Sequence, residues 1–219
     1  MPATVKGRAI KVLHLDLRRL QTLKACDDGI QTAAAAGFNH VCVGPVFDLG
    51  SGDDALLVAD HDKSIGSLRS IGTPRDLIKA LRQSCEKVGV ALFVDIVLGR
   101  IALEGRSAKS LTGTYAAPPG HNPLDPRLDR RGASSALLRS GAEEGAAEWW
   151  AELLAELVTA GAQGFRLLGL ADLPANALRP ILDRVRAGTA CAFWGWTPGL
   201  PWSRHHELAG VGLSAVFAS

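Results

Sequence analysis

The chain lacks a long apolar run, a cysteine pairing pattern and an excess of charge, and each lack removes a class of function. No stretch of its 219 residues approaches the roughly 18 apolar residues that cross a bilayer, and Met1 to Arg8 is too polar for a secretory leader. The formal net charge is +2, and no basic block is longer than Arg130-Arg131, so neither nucleic acid nor a membrane is expected as a partner. The four cysteines at 26, 42, 85 and 191 show no C-x-x-C spacing, which argues against a disulfide framework or a zinc site. Cys42 and Cys191 lie inside apolar runs, where cysteine acts as a small buried hydrophobe. A reducing, cytoplasmic location is the expectation.

Chemistry-bearing motifs are scarce as well. The segment DLGSGDD (48–54) has no P-loop lysine and opens no helix, so it reads as a flexible loop. No G-x-S-x-G elbow occurs. His205-His206 are neighbours on a short helical segment, point apart, and have no third ligand at suitable spacing, so they read as surface residues. Neither a metal nor a cofactor is expected.

What is present is alternation. Apolar runs at 9–17, 40–47, 89–98, 163–170, 190–196 and 213–219 read as six strands, apolar on both faces as a helix-covered parallel sheet requires. Between them lie helices with legible ends. One stops at Gly37. The next opens on a capping box at Thr73, Pro74 and Asp76 and ends at Gly89. A third starts among Glu143, Glu144 and Glu148, buries Trp150, Leu154 and Leu157, and stops at Gly161. Pro174 opens a fourth, and a short fifth covers about 203–209. Five strand–helix repeats without a hairpin signal predict an α/β fold with right-handed crossovers, which a barrel and a doubly wound sheet both satisfy. Two long connections, about 48–72 and 99–142, follow strand C-termini, where α/β folds place their sites. The second holds Pro118-Pro119-Gly120 and the Asn122-Pro123 and Asp125-Pro126 turns.

Three charges interrupt the apolar strands: Asp16, Asp95 and Arg166. Burying an unpaired charge costs several kcal/mol, so these groups need partners or an open cavity. A structural Asp–Arg pair at the upper rim and a ligand-facing role are both compatible with their positions.

Four segments in order carry a family likeness. AAAAGFNHVCVGPVFDLG resembles the second strand of the α-amylase superfamily (glycoside hydrolase family 13), where a proline leads the chain into the site. SIGTPRDLIKALRQSCEKVGVALFVDIVLGR resembles its third helix–strand unit, AGAQGFRLLGL its fourth strand, and ELAGVGLSAVFAS its sixth. Within that superfamily the likeness is nearest to the maltose-1-phosphate maltosyltransferase type. The resemblance implies a TIM-barrel-like (β/α)8 fold of which about the first six strands are present. It makes 1–219 one partial-barrel domain with a loop insert at about 99–142.

The departures from the family pattern concern its chemistry. Members are retaining enzymes that use a carboxylate nucleophile and a carboxylic acid about 5–5.5 Å apart. The resemblance puts the nucleophile position at Leu168 and the acid position around Trp194, and neither residue can do that work. Gly99-Arg100 replaces the family's Asn-His, and the third family aspartate would lie beyond Ser219. Asp95 and Arg166 are retained, and in active members these orient the site. Asp172, the nearest displaced carboxylate, is expected to cap the following helix.

The expected function is a catalytically degenerate α-amylase-like domain linked to α-glucan metabolism, a structural or glucan-binding pseudoenzyme. An α-glucan or maltosyl sugar would meet Asp95, Arg166 and Trp196. Trp194 and Trp202 are further aromatics that would either stack on sugar rings or pack in the core. The alternative is a glycosyl hydrolase or maltosyltransferase active only with a C-terminal part or a displaced carboxylate. An unrelated phosphate-binding barrel stands last, on fold analogy alone. Because the sequence ends in an apolar strand, the expected partner is the remainder of a longer polypeptide, or otherwise a protein that completes the barrel.

Overall fold

Runs of alternating inward and outward apolar residues pair in parallel here, each strand joined to the next through a helix. The computed structural model describes residues 9–50, 52–117, 134–173 and 175–217. The main sheet consists of β1 (Val12–Asp16), β2 (His40–Gly44), β5 (Ala91–Val97), β9 (Gly164–Leu168), β10 (Ala192–Trp196) and β11 (Ala215–Phe217). They lie side by side in that order and every pairing is parallel. The sheet curls into a partial barrel with helices on its outer face: α1 (Leu23–Ala35), α2 (Pro74–Val88), α4 (Glu143–Ala160), α5 (Ala175–Gly188) and α6 (Trp202–Leu208). Among the described residues β1 and β11 each have one parallel neighbour, so both edges of the sheet are free.

Helix ends follow local chemistry. Thr73 Oγ1 accepts from the Asp76 N–H while Asp76 accepts from the Thr73 N–H at 2.8 Å, a complete capping box. Gly89 closes α2 in the left-handed region, φ 70°, where a side chain would be strained. Pro174, the expected opener of α5, lies outside the described residues, as do the Pro118, Asn122 and Asp125 turns, Arg130-Arg131, and the end of the sixth strand at 218–219.

Strand alternation divides the core in two. Val41, Val94, Phe165 and Phe193 face outward and join Leu81, Trp150, Leu154 and Leu182 of the helices. Cys42, Phe93 and Trp194 face inward and fill the lower barrel, with Val12, Ala192 and Phe217 packed against them. The Phe93 and Trp194 rings stack at 3.6 Å between centroids, 13° from parallel. Gly164 makes room for that stack, since a Cβ there would lie 2.3 Å from the Phe93 ring.

The two long connections are not structureless, which corrects the reading of an α/β chain without hairpins. In the first, β3 (Phe47–Asp48) and β4 (Asp60–Ser64) pair antiparallel and a 3-10 helix follows at Gly66–Ile71. In the second, β6 (Arg100–Ala102), β7 (Tyr115–Ala116) and β8 (Ser135–Leu138) form an antiparallel sheet in the order β6-β8-β7, with α3 (Arg106–Ser110) beside it. Strands of two to five residues with loop-like composition carry no readable period. Ile101, Ala108, Tyr115 and Ala136 give this excursion a small core of its own. Tyr115 ties it to the barrel by donating to the Leu98 carbonyl and accepting from Trp150 Nε1 at 2.8 Å.

Candidate functional site

The C-terminal ends of the parallel strands and the β3–β4 excursion enclose a cavity of about 400 Å³. Its floor is the pair suspected from the charges in the strands. Asp95 and Arg166 are register partners on adjacent strands, so their side chains leave the sheet on the same face. Arg166 donates from Nε and Nη2 to the two Asp95 oxygens, each at 2.7 Å. This two-pronged geometry makes the strongest kind of carboxylate–guanidinium contact. His14 Nε2 lies 2.9 Å from Asp95 Oδ2, and Cys42 Sγ donates to Oδ1 at 3.1 Å. Gly44 allows this crowding, because a Cβ there would lie 2.5 Å from the Asp95 Cβ.

Burial alone would push the Asp95 carboxyl up, but the hydrogen bonds from His14 and Arg166 and the guanidinium charge outweigh it and hold its pKa below the ordinary value. Arg166 is correspondingly raised: burial opposes its charge, and the contact with Asp95 more than restores it. Burial, reinforced by the Asp95 charge, pushes the Cys42 thiol well up, so it stays protonated and can donate.

Asp16, the third suspected charge, does not join that pair. Arg18, two residues on, grips it from Nε at 2.9 Å and Nη2 at 2.6 Å, and this hydrogen bonding lowers its pKa despite partial burial. Arg18 also donates to the Asp53 carbonyl, so the rim arginine is held on two sides. His14, Cys42 and Arg18 escaped the sequence reading. Period-two alternation from Asp16 would have put His14 on the same face, but nothing in sequence announces the Cys42 contact across 53 residues.

Strand register separates the two tryptophans of β10. Trp194 pairs with Arg166 and Gly195 with Leu167, so Trp196 follows level with Leu168. Leu168 and Trp196 both line the cavity. Trp194, expected beside the acid position at the mouth, lies one layer deeper and is 2% exposed, against 39% for Trp196. The Trp196 ring sits 5.0 Å from the Arg166 guanidinium carbon and covers the buried pair. Trp202 is exposed, stacks on His205, and takes no part in the cavity lining. The Asp172 carboxylate, expected at a helix cap, is paired with Arg100, so the two charges neutralise each other. Among the described residues no three His, Cys, Asp or Glu side chains are grouped to hold a metal ion, and no helix is long and apolar enough to cross a membrane.

No protein-family model matches the chain. In sequence it is similar to the alpha-1,4-glucan:maltose-1-phosphate maltosyltransferase of Burkholderia pseudomallei (strain K96243), 26% identical over 209 residues, which cover 93% of this chain and 18% of that protein. In structure it is similar to the trehalulose synthase MutB from Pseudomonas mesoacidophila MX-45, with a TM-score of 0.77 at 14% identity. The two share a fold. The maltogenic α-amylase AmyB from Thermotoga neapolitana aligns in the same way, with a TM-score of 0.72 at 12% identity over 95% of this chain. The chain spans about half the length of these solved structures, 50% of MutB and 49% of AmyB. Its six strands are thus a partial (β/α)-barrel.

Proposed function

We propose that this α-amylase-like chain is a glucan-related module whose mouth cavity binds an α-glucan or maltosyl sugar and carries out no glycosidic-bond chemistry of its own. One observation carries the reading. Both carboxylates among the described residues lining the cavity, Asp16 and Asp95, are held in two-pronged arginine contacts, while Leu168 and Trp196 stand level at the mouth. A retaining reaction needs one free carboxylate to attack and a protonated one to donate. Asp16 and Asp95 both have lowered pKa values, so neither is suited to hold a proton at neutral pH. Trp196, half-exposed above Arg166, offers an apolar face to a sugar ring. The sequence similarity to a maltosyltransferase supports the choice of sugar. The four free thiols, three of them buried, support a cytoplasmic location. Titration calorimetry of maltotriose into the chain, with product analysis of the same samples, tests the reading. Binding without products is expected, and products formed by the purified chain would overturn it.

The free edges of β1 and β11 favour a companion proposal: further strands complete the barrel, supplied by the remainder of a longer polypeptide or by a partner protein. In that assembly the alternative, a hydrolase or maltosyltransferase using carboxylates from outside the described residues, is tested by the same product analysis on the native complex.

A further inference from the structure

The saturation of Asp95 decides which polar groups of the cavity are left for a ligand. Arg166 Nε and Cys42 Sγ donate to its Oδ1 at 2.7 and 3.1 Å, while Arg166 Nη2 and His14 Nε2 lie 2.7 and 2.9 Å from its Oδ2. Two partners on each oxygen use the roughly four acceptor sites of a carboxylate. Asp95 can therefore take a ligand hydroxyl only by surrendering one of these contacts. Arg166 is committed to Asp95 and covered by Trp196. Asp16 and Arg18 are matched to each other. His61, also in the lining, is closed in: it is 3% exposed, and its Nδ1 lies 2.8 Å from the Ser107 hydroxyl oxygen.

His14 is the polar lining residue that remains. It stands on β1 between Val12 and Asp16, and period-two alternation turns all three toward the barrel interior. Its side chain lines the cavity and is 39% exposed, against 6% for the Asp95 side chain it touches. That contact orients the ring. With its pKa held low, Asp95 is an ionised carboxylate at neutral pH and can only accept, so Nε2 carries a proton in either charge state of the imidazole. Nδ1 has no hydrogen-bond partner among the described residues. A hydroxyl matches Nδ1 in both states, because it donates to the bare nitrogen of the neutral ring and accepts from the N–H of the charged one.

Resting on the glucan reading above, we propose that His14 is the residue that hydrogen-bonds the sugar, from Nδ1 to a hydroxyl, and that Asp95 does not touch the ligand. Asp95 is then a positioning residue that fixes the imidazole from behind. Trp196 supplies the apolar face of the site and His14 its polar contact.

The test combines nitrogen-15 histidine NMR with calorimetry, using maltotriose as the probe. In the free protein Nε2 of His14 is expected to be protonated, and added maltotriose should move the Nδ1 resonance while Nε2 keeps its proton. His14→Phe removes both ring nitrogens and should weaken maltotriose binding about tenfold, with the thermal midpoint reporting whether the fold is kept. His14→Gln offers an N–H to Asp95 and a carbonyl to the ligand, and should retain most of the affinity. Asp95→Asn can present an amide N–H to Nε2 and should lower the population of the Nε2–H form, a spectroscopic change that loss of packing alone would not produce. A wild-type complex saturated with maltotriose in which the Nδ1 resonance stays unmoved, or a folded His14→Phe that binds as tightly as wild type, overturns the role of His14 and leaves the glucan reading in place. A His14 proton distribution unchanged by Asp95→Asn removes the positioning role of Asp95. Failure of the wild-type chain to bind maltotriose removes the glucan reading and the inference with it.

Discussion

Replacing Asp95 by asparagine keeps the shape of the side chain and removes its charge. Arg166, 7% exposed, then retains its positive charge beneath Trp196 with one neutral acceptor in place of a carboxylate. Breaking a buried pair by neutralising one partner costs about 3–5 kcal/mol, and the surviving amide oxygen puts this case near about 3 kcal/mol. In a chain of this size about 1 kcal/mol corresponds to about 2–4 °C, so a fall of about 6–12 °C in thermal midpoint is expected. Urea unfolding of Asp95→Asn should show a lower midpoint at an unchanged slope. The double replacement Asp95→Leu with Arg166→Met removes both charges and should recover much of the loss. The pH profile gives a second check. Because the folded pKa of Asp95 lies below its ordinary 3.8, its contribution is complete above that value and drains away as the pH falls through the folded one. The gap between wild type and Asp95→Asn should therefore hold from neutral pH to about pH 5, begin to narrow below about pH 4, and close only below the folded pKa. An Asp95→Asn protein within about 1 kcal/mol of wild type, or a double variant that loses the sum of the singles, would refute the buried-pair account.

The two tryptophans of β10 should behave in opposite ways. Trp194→Ala opens the stack on Phe93 and should cost about 3–5 kcal/mol in urea unfolding. Trp196→Ala loses the contact over Arg166, worth about 1 kcal/mol, yet should weaken maltotriose binding about tenfold in calorimetry. Equal stability losses in the two variants would contradict the layer assignment. Gly44→Ala drives a methyl group into Asp95, and calorimetric melting should show a midpoint at least as low as that of Asp95→Asn. Light scattering across a concentration series should detect self-association through the open sheet edges, reduced by Val216→Lys on the exposed face of β11. A monodisperse monomer throughout would show that the edges are covered within the chain.

The strands, the helices and their caps were legible because each rests on a short-range rule. The Thr73 box and the Gly89 stop are local chemistry, and two-faced apolar runs imply a covered parallel sheet. Asp95 and Arg166 were legible as a problem, two charges in apolar strands, and the register that makes them neighbours supplied the solution. The excursions at β3–β4 and β6–β8 were not legible, because strands this short take their order from packing partners distant in sequence, such as Tyr115 on Trp150. The layer of Trp194 was missed for a related reason: two aromatics two residues apart share a face, and only register tells which one reaches the mouth. The contact of His61 with Ser107 gave no signal at all, since it spans 46 residues.

The central claim is binding at the strand C-termini without bond chemistry, and the most direct measurement is maltotriose incubated with the purified chain, followed at once for occupancy and for products. Saturable binding that Trp196→Ala weakens is expected, with every maltotriose molecule recovered intact. Sugar release or transfer by the native chain that disappears in Asp172→Asn or Asp95→Asn would contradict it, because a carboxylate now assigned to an arginine would be doing the chemistry.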